Sequence, residues 1–351
     1  MKKILALILA LTMICALAAC GSSNETAAEE PVIEEQGAAA EEAADEQPVI
    51  AGDPADEEVT YTVGIIQLVE HVALDAATMG FEDALTDRLG TSVTFDENNA
   101  QGDSANCATI ANSLVSEGVD LILANATAPL QAAAAATGDI PILGTSVTDF
   151  ATALDIDDWN GATGRNISGT SDLAPLDGQA EVLSELFPVE EYPTVGILYC
   201  SAEANSIYQA TVITGYLEEL GYTVSEYTFA DSNDIASVVT TACDECDVLY
   251  IPTDNTAANN AAAIDNVALP AGVPIICGEE GICSGCGVAT LSISYYDLGY
   301  AAGEMAYEIL VNGADIATMN VQYAPTFTKE YDAARCEALG VTVPEDYVAI
   351  G

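Results

Sequence analysis

From Val59 onward, runs of four to six aliphatic and β-branched residues alternate with longer stretches whose apolar positions recur at helical spacing. The short runs, bounded by Gly, Pro and Asn, predict buried parallel strands at 63–68, 92–95, 119–123 and 141–143. The longer ones predict helices at 74–89, 104–116 and 129–137. A second series starts at Thr194, with strands at 194–199, 224–229, 248–251 and 274–277 and helices at 205–220, 234–243 and 255–267. It repeats the first about 130 residues further on. Thr62-Val63-Gly64-Ile65-Ile66 is answered by Thr194-Val195-Gly196-Ile197-Leu198, and Asp120-Leu121-Ile122-Leu123 by Asp247-Val248-Leu249-Tyr250.

Alternating βα units with short loops imply an α/β protein of doubly wound parallel sheets. Two copies imply two such lobes with a ligand cleft between them. The rest of the chain fits neither copy: a strand-like run at 289–294, an amphipathic helix at 297–312 and an extended segment at 321–323. With 167–172 these predict three crossings between lobes, a three-strand hinge. The expected N-terminal lobe is 59–168 plus 292–320, and the C-terminal lobe 169–291 plus 321–351.

The N-terminal region is of another kind. Lys2-Lys3 precede an apolar run, residues 4–19, too short for a membrane span, and Leu17-Ala18-Ala19-Cys20 resembles the bacterial lipobox. The expectation is a signal peptide over 1–20 and a lipid anchor on Cys20. Residues 21–58 read as a disordered acidic tether, since residues 22–58 hold thirteen acids and no base. A net charge of −50 with six Lys and Arg excludes binding to a nucleic-acid backbone, and leaves the lipid as the only expected grip on the membrane.

Eight cysteines lie beyond Cys20, among them Cys243-x-x-Cys246 and Cys283-x-x-Cys286. Local disulfides, free thiols and a metal site are the open alternatives for those four, with disulfides the first expectation outside the membrane and metal the least expected of the three. The single histidine, His71, leaves no nucleophile–base pair, so no enzyme is expected, and no cofactor.

In doubly wound sheets ligands bind beyond the carboxyl ends of the strands, so the loops there carry function. In the first copy these loops offer hydroxyls and a helix start at Asn125-Ala126-Thr127-Ala128-Pro129 and Gly144-Thr145-Ser146, which suit a carboxylate. In the second they offer acids and amides at Ser201 to Ser206, Pro252 to Asn255 and Gly278-Glu279-Glu280, which suit an ammonium. A helix cap is an equal reading for Thr127, Ser206 or Asn255, and a solvated loop acid for Asp254 or Glu279. The expected ligand-binding set is Glu70, Thr127, Ala128, Thr145, Ser146, Ser201, Asn205, Asp254, Asn255, Gly278 and Glu279.

The strings Gln67-Leu68-Val69-Glu70-His71-Val72-Ala73-Leu74-Asp75, Gly169-Thr170-Ser171-Asp172, Ala204-Asn205-Ser206, Pro252-Thr253-Asp254-Asn255-Thr256 and Tyr295-Tyr296-Asp297-Leu298-Gly299-Tyr300 carry a resemblance. They resemble the ABC-transporter solute-binding lipoproteins of the tryptophan/tyrosine-uptake family, with the type I periplasmic-binding fold. The resemblance implies an extracytoplasmic, lipid-anchored monomer that closes on an aromatic amino acid and docks on a permease driven by its ATPase. It also implies that Thr127, Thr145 and Ser146 hold the carboxylate, and that Asn205, Asp254 and Glu279 take the amine or the polar rim of the ligand. A sugar or nucleoside receptor of the same fold, or a sensor coupled to a signalling partner, is the alternative.

Overall fold

The computed structural model describes residues 59–350; the expected signal peptide, Cys20 anchor and tether lie outside them. The first series runs β1 (Tyr61–Gln67), α1 (Val72–Leu89), β2 (Val93–Asn99), α2 (Ser104–Glu117), β3 (Leu121–Asn125), α3 (Thr127–Ala136), β4 (Ile142–Val147), α4 (Phe150–Ala153) and β5 (Ile167–Ser171). After α5 (Leu176–Leu186) the second runs β6 (Thr194–Cys200), α6 (Ala204–Glu219), β7 (Thr223–Phe229), α7 (Ile235–Glu245), β8 (Val248–Ile251), α8 (Asn255–Asn259), α9 (Ala261–Ala271), β9 (Ile275–Cys277), α10 (Glu280–Cys286) and β10 (Ala289–Ser292). The chain ends with α11 (Tyr295–Leu310), β11 (Gln322–Tyr323), β12 (Thr328–Tyr331), α12 (Ala333–Leu339) and β13 (Val348–Ala349).

Two sheets result, ordered β11-β5-β4-β3-β1-β2 and β13-β12-β10-β9-β8-β6-β7. The first is parallel throughout; the second is parallel except where β10 meets β12. Both place the second strand of the copy outermost, then the first, third, fourth and fifth. Strand order therefore reverses beside β1 and β6.

Alternate residues of each central strand feed opposite cores. Val63 and Ile65 pack with Phe81, Leu85 and Met305 on one face, while Ile66 packs with Leu114, Leu130 and Phe150 on the other. In the second sheet Val195 and Ile197 meet Leu183, Ile213 and Leu217, and Leu198 meets Val239, Ile264 and Ile282. Each such buried side chain contributes about 1.5–3 kcal/mol. Burial on both faces is why the strands read as near-continuous apolar runs.

The lobe boundaries differ in detail from the expected ones. Strand β5 bonds to β4 through Ser171, so the first crossing follows Ser171 and not residue 168. Gln322 and Tyr323 pair with Thr170 and Ser171, so this segment extends the first sheet and not the second. Ser292 pairs with Thr328 in the second sheet, and the return to the first lobe begins at α11. That helix lies close on α1: a Cβ on Gly299 would overlap the Ala77 carbonyl, and one on Gly80 the Tyr296 carbonyl. The chain crosses between lobes at 172–175, 293–294 and 324–327.

The Gly-rich stretch around Cys283-x-x-Cys286 forms α10, because the Glu279 carboxylate accepts from the backbone N–H groups of Gly281 and Ile282 and the helix buries Ile282, Cys283 and Cys286. The eight cysteines from Cys107 to Cys336 carry free thiols, seven of them buried, so for Cys243, Cys246, Cys283 and Cys286 the free-thiol alternative holds and not the disulfides expected first. Cys283 and Cys286 are held on one short helix, and both lie in the second lobe's core with Cys246 and with Cys277, which they contact directly. Among the described residues no cluster of three His, Cys, Asp or Glu side chains is arranged to hold a metal ion.

Candidate functional site

A cavity of about 300 Å³ lies between the two points where strand order reverses. From the first lobe it is lined by Leu68 and Val69 after β1 and by Thr127 and Ala128 at the start of α3. From the second it is lined by Ala202 to Asn205 after β6 and by Asn255 and Thr256 at the start of α8. This is where an open α/β sheet leaves room for a ligand, and here two such places face each other. On the hinge side a second hollow of about 220 Å³ is bordered by Ala73, Glu279, Ile293 and Tyr295.

The first lobe's loops are held in unusual backbone. Gln101, Ala126 and Ser146, after β2, after β3 and near the end of β4, have φ of 57°, 105° and 54°, the left-handed region that side chains rarely adopt. Such strain clusters at binding sites. Ala126 holds the position before α3 without any side-chain cap, so Thr127 is not the cap but lines the cavity. Ser146 is buried and its Oγ has no partner. Thr145 is turned into the lobe, where Thr170 donates to its Oγ1 at 3.0 Å. Glu70 is exposed and borders a different hollow, shared with Asp75, Glu82 and Glu97, apart from the main cavity.

In the second lobe, Asn205 donates from Nδ2 to the Thr253 carbonyl at 3.0 Å and lines the cavity. Asp254 faces inward: it accepts from the Cys200 N–H at 2.6 Å and caps α8 through the Ala257 N–H at 2.7 Å. Burial, then nearby Glu203, pushes its carboxyl up. Ser201 is exposed and donates to the Phe229 carbonyl at 3.3 Å. Gly278 fits where a Cβ would crowd the Thr253 N–H, and its carbonyl accepts from Gln179. Glu279 is buried, and burial pushes its carboxyl up to about 7 in spite of its two backbone partners, with Glu280 and Asp172 adding to the rise.

The residues that sequence reasoning passed over sit between these. Asp172, just beyond β5, accepts from the Tyr295 hydroxyl at 3.0 Å; its other oxygen is buried without a partner, and burial raises it to about 6. It lies beside Ser146: the Asp172 N–H bonds to the Val147 carbonyl at 3.3 Å. Gln209 of α6 bonds to both the N–H and the carbonyl of Thr253 and reaches Thr148 of the first lobe at 3.4 Å. His71 meets Asn255 across the cleft, and Glu203 gathers the loop around Asn255. In the sequence Asp172 is marked only as a lone acid following a strand and as the end of the string Gly169-Thr170-Ser171-Asp172. None of the four described Lys and Arg residues borders either interlobe hollow.

A two-lobed α/β molecule with facing strand ends, a hinge of three crossings and a polar cavity between the lobes is a ligand trap. The chain belongs to the ABC transporter substrate-binding protein family, whose model matches residues 62–350. It is 37% identical over 258 residues, 73% of this chain and 74% of the other, to a tyrosine-binding protein of Clostridioides difficile strain R20291. Among solved structures it is similar to an ABC domain from Streptococcus pneumonia in complex with L-Trp, with a TM-score of 0.77 at 31% identity, covering 82% of this chain and 96% of that one. It is also similar to the ligand-free, open form of a Clostridium difficile substrate-binding protein with adhesive properties, with a TM-score of 0.64 at 34% identity, covering 83% and 99%. The more identical relative superposes less well. The family is one of binding proteins, and among the described residues no helix is long and apolar enough to cross a membrane.

Proposed function

We propose that the protein is the extracytoplasmic receptor of an ABC importer for an aromatic amino acid, tethered through lipid on Cys20. It closes as a monomer on tryptophan, tyrosine or phenylalanine and presents the closed form to a permease coupled to its ATPase. The observation that carries the reading is the pairing of Ser146 and Asp172. They stand on adjacent strand ends, each with a buried oxygen lacking a partner. The carboxylate and ammonium of an α-amino acid are bonded to one carbon, and a hydroxyl beside a carboxyl suits that pair of charges. Among the described residues no cation borders the interlobe hollows, so the ligand's carboxylate is met by Thr127, which lines the larger one, by the uncapped N–H groups of α3 and by the spare hydroxyl of Ser146. Asp172, with Glu279 from the other lobe near the same Tyr295, meets the ammonium. The relatives named for tyrosine and bound to L-Trp support the aromatic class. Asp254, saturated by backbone N–H groups, positions the loop and does not touch the ligand.

Isothermal titration of ligand-stripped protein against the twenty amino acids tests this. Micromolar or tighter binding confined to aromatic amino acids is expected. No binding tighter than about 1 mM, about 4 kcal/mol, sinks it.

A further inference from the structure

Three residues outside the amino-acid contacts meet across the cleft. Glu203 precedes α6 and accepts from Asn205 Nδ2 at 3.2 Å, from the Asn255 N–H at 3.1 Å and Nδ2 at 2.7 Å, and from the Thr256 N–H at 2.8 Å and Oγ1 at 2.7 Å. Because Asn255 gives its amide nitrogen to Glu203, its Oδ1 is the atom that faces His71, 3.2 Å from Nε2. An oxygen there needs a donor, so neutral His71 carries its proton on Nε2 and leaves Nδ1 a bare acceptor. Nδ1 is buried with no partner. His71 stands at the start of α1 in one lobe, Glu203 and Asn255 in the other, so the contact lasts only while the lobes are together.

We propose that Glu203, Asn255 and His71 form a closure latch, in which Glu203 orients the Asn255 amide towards neutral His71 and protonation of His71 releases the lobes. A second proton would put a charge and an unpaired N–H on a buried nitrogen that faces no protein acceptor. Burial already holds the imidazole below its ordinary 6.5, while Asn255, Asp75 and Glu203 pull it the other way. The charged groups around it are Asp75 on its own helix, Glu203 on α6, Asp254 beside Asn255 and bonded inward, and Glu279 and Glu280 on α10, which packs on α1. Since the closed state lowers this pKa and opening restores it, closure is favoured above about 6.5 and lost as pH falls below it. With one proton involved, affinity falls by up to about tenfold per pH unit in that window.

The latch rests on ligand capture by closure, not on which ligand is caught. The test titrates L-tyrosine and L-tryptophan into wild type, His71→Gln and Glu203→Gln from pH 8 to pH 5. His71→Gln keeps a donor for Asn255 but cannot ionise. Any protons displaced from Asp172 and Glu279 are common to both proteins, so the difference between them reports His71. Wild type is expected to lose affinity more steeply than His71→Gln below pH 6.5, and Glu203→Gln to bind roughly tenfold more weakly at pH 8. Equal slopes overturn the latch. Should neither amino acid bind at pH 8, the aromatic amino-acid reading falls. The proton resonance of the only histidine in the ligand-free chain then decides the latch: a midpoint below 6.5 supports it, and a midpoint at the ordinary value overturns it.

Discussion

Tyr295 donates its phenolic proton to Asp172 across 3.0 Å, from the first turn of α11 to the residue that begins the first crossing. The bond spends one carboxyl oxygen and leaves the other buried and bare. A group held this way gives the free molecule little and a cationic partner a great deal.

Replacing Asp172 by Asn therefore separates binding from folding. A charge-assisted hydrogen bond is worth about 1.5–3 kcal/mol, so Asp172→Asn is expected to weaken amino-acid affinity by roughly 10- to 150-fold, read by calorimetry. The melting temperature without ligand is expected to hold or rise. An unchanged affinity would remove Asp172 from the site.

The same burial sets a pH dependence of stability. Asp172 is raised from 3.8 to about 6 and Glu279 from 4.5 to about 7. Both bind protons more tightly folded than unfolded, so their contribution grows as pH drops from above about 7 and is complete below the unfolded values. Above the folded values the charged carboxyls oppose folding. Ligand-free protein is expected to melt higher at pH 5 than at pH 8. General repulsion among the acids acts in the same direction, so the check is the double variant Asp172→Asn, Glu279→Gln, whose pH 5 to pH 8 difference is expected to be smaller. An identical difference would count against this account.

Asp254 was expected to hold the amine, yet its partners are the Cys200 and Ala257 N–H groups. Removing it strips a cap and leaves a buried N–H unpaired, each costing on the order of 1–3 kcal/mol. Asp254→Ala is expected to lower stability by about 2–4 kcal/mol in urea unfolding. If stability held while affinity alone fell, Asp254 would be a ligand contact after all.

The contact between α1 and α11 allows no side chain at Gly299. A methyl there must push two backbones apart, so Gly299→Ala is expected to cost about 3 kcal/mol or more, seen as a shifted urea midpoint or as failure to fold. Gly215, with open space around its Cβ position, is the control. Gly215→Ala is expected to be neutral or mildly stabilising, by up to about 1 kcal/mol.

Much of this architecture is written in the sequence, for a simple reason. Strands buried on both faces, such as 121–125 and 248–251, carry unbroken apolar runs at 121–124 and 248–251 and are bounded by breakers, so local composition announces them. Helix α10 is not announced, because two glycines within seven residues argue against a helix and only the Glu279 carboxylate and the core beneath it reverse the balance. The expected helix over 255–267 is broken at Asn260 into α8 and α9, a join that no residue in the pattern marks. At the site, the loops were legible as loops, but the direction of each side chain was not. Thr145 and Asp254 turn inward to satisfy backbone or neighbouring hydroxyls, while Ser146 and Asp172 keep oxygens unspent. Which of several like residues holds a spare hydrogen bond depends on bonds made across 25 to 128 positions of chain, as at Thr145–Thr170 and Thr170–Leu298, and no local motif records that.

The three passages at 172–175, 293–294 and 324–327 also govern how the molecule can be taken apart. Neither half corresponds to an unbroken stretch of coding sequence. The first jaw needs α11 and β11 from far downstream, and the second needs β12 and β13 from beyond them. Severing one connection leaves two intact, so a single nick in a connecting segment would still leave the jaws covalently joined. Isolating one jaw would require splicing its pieces in a new order, not shortening the gene.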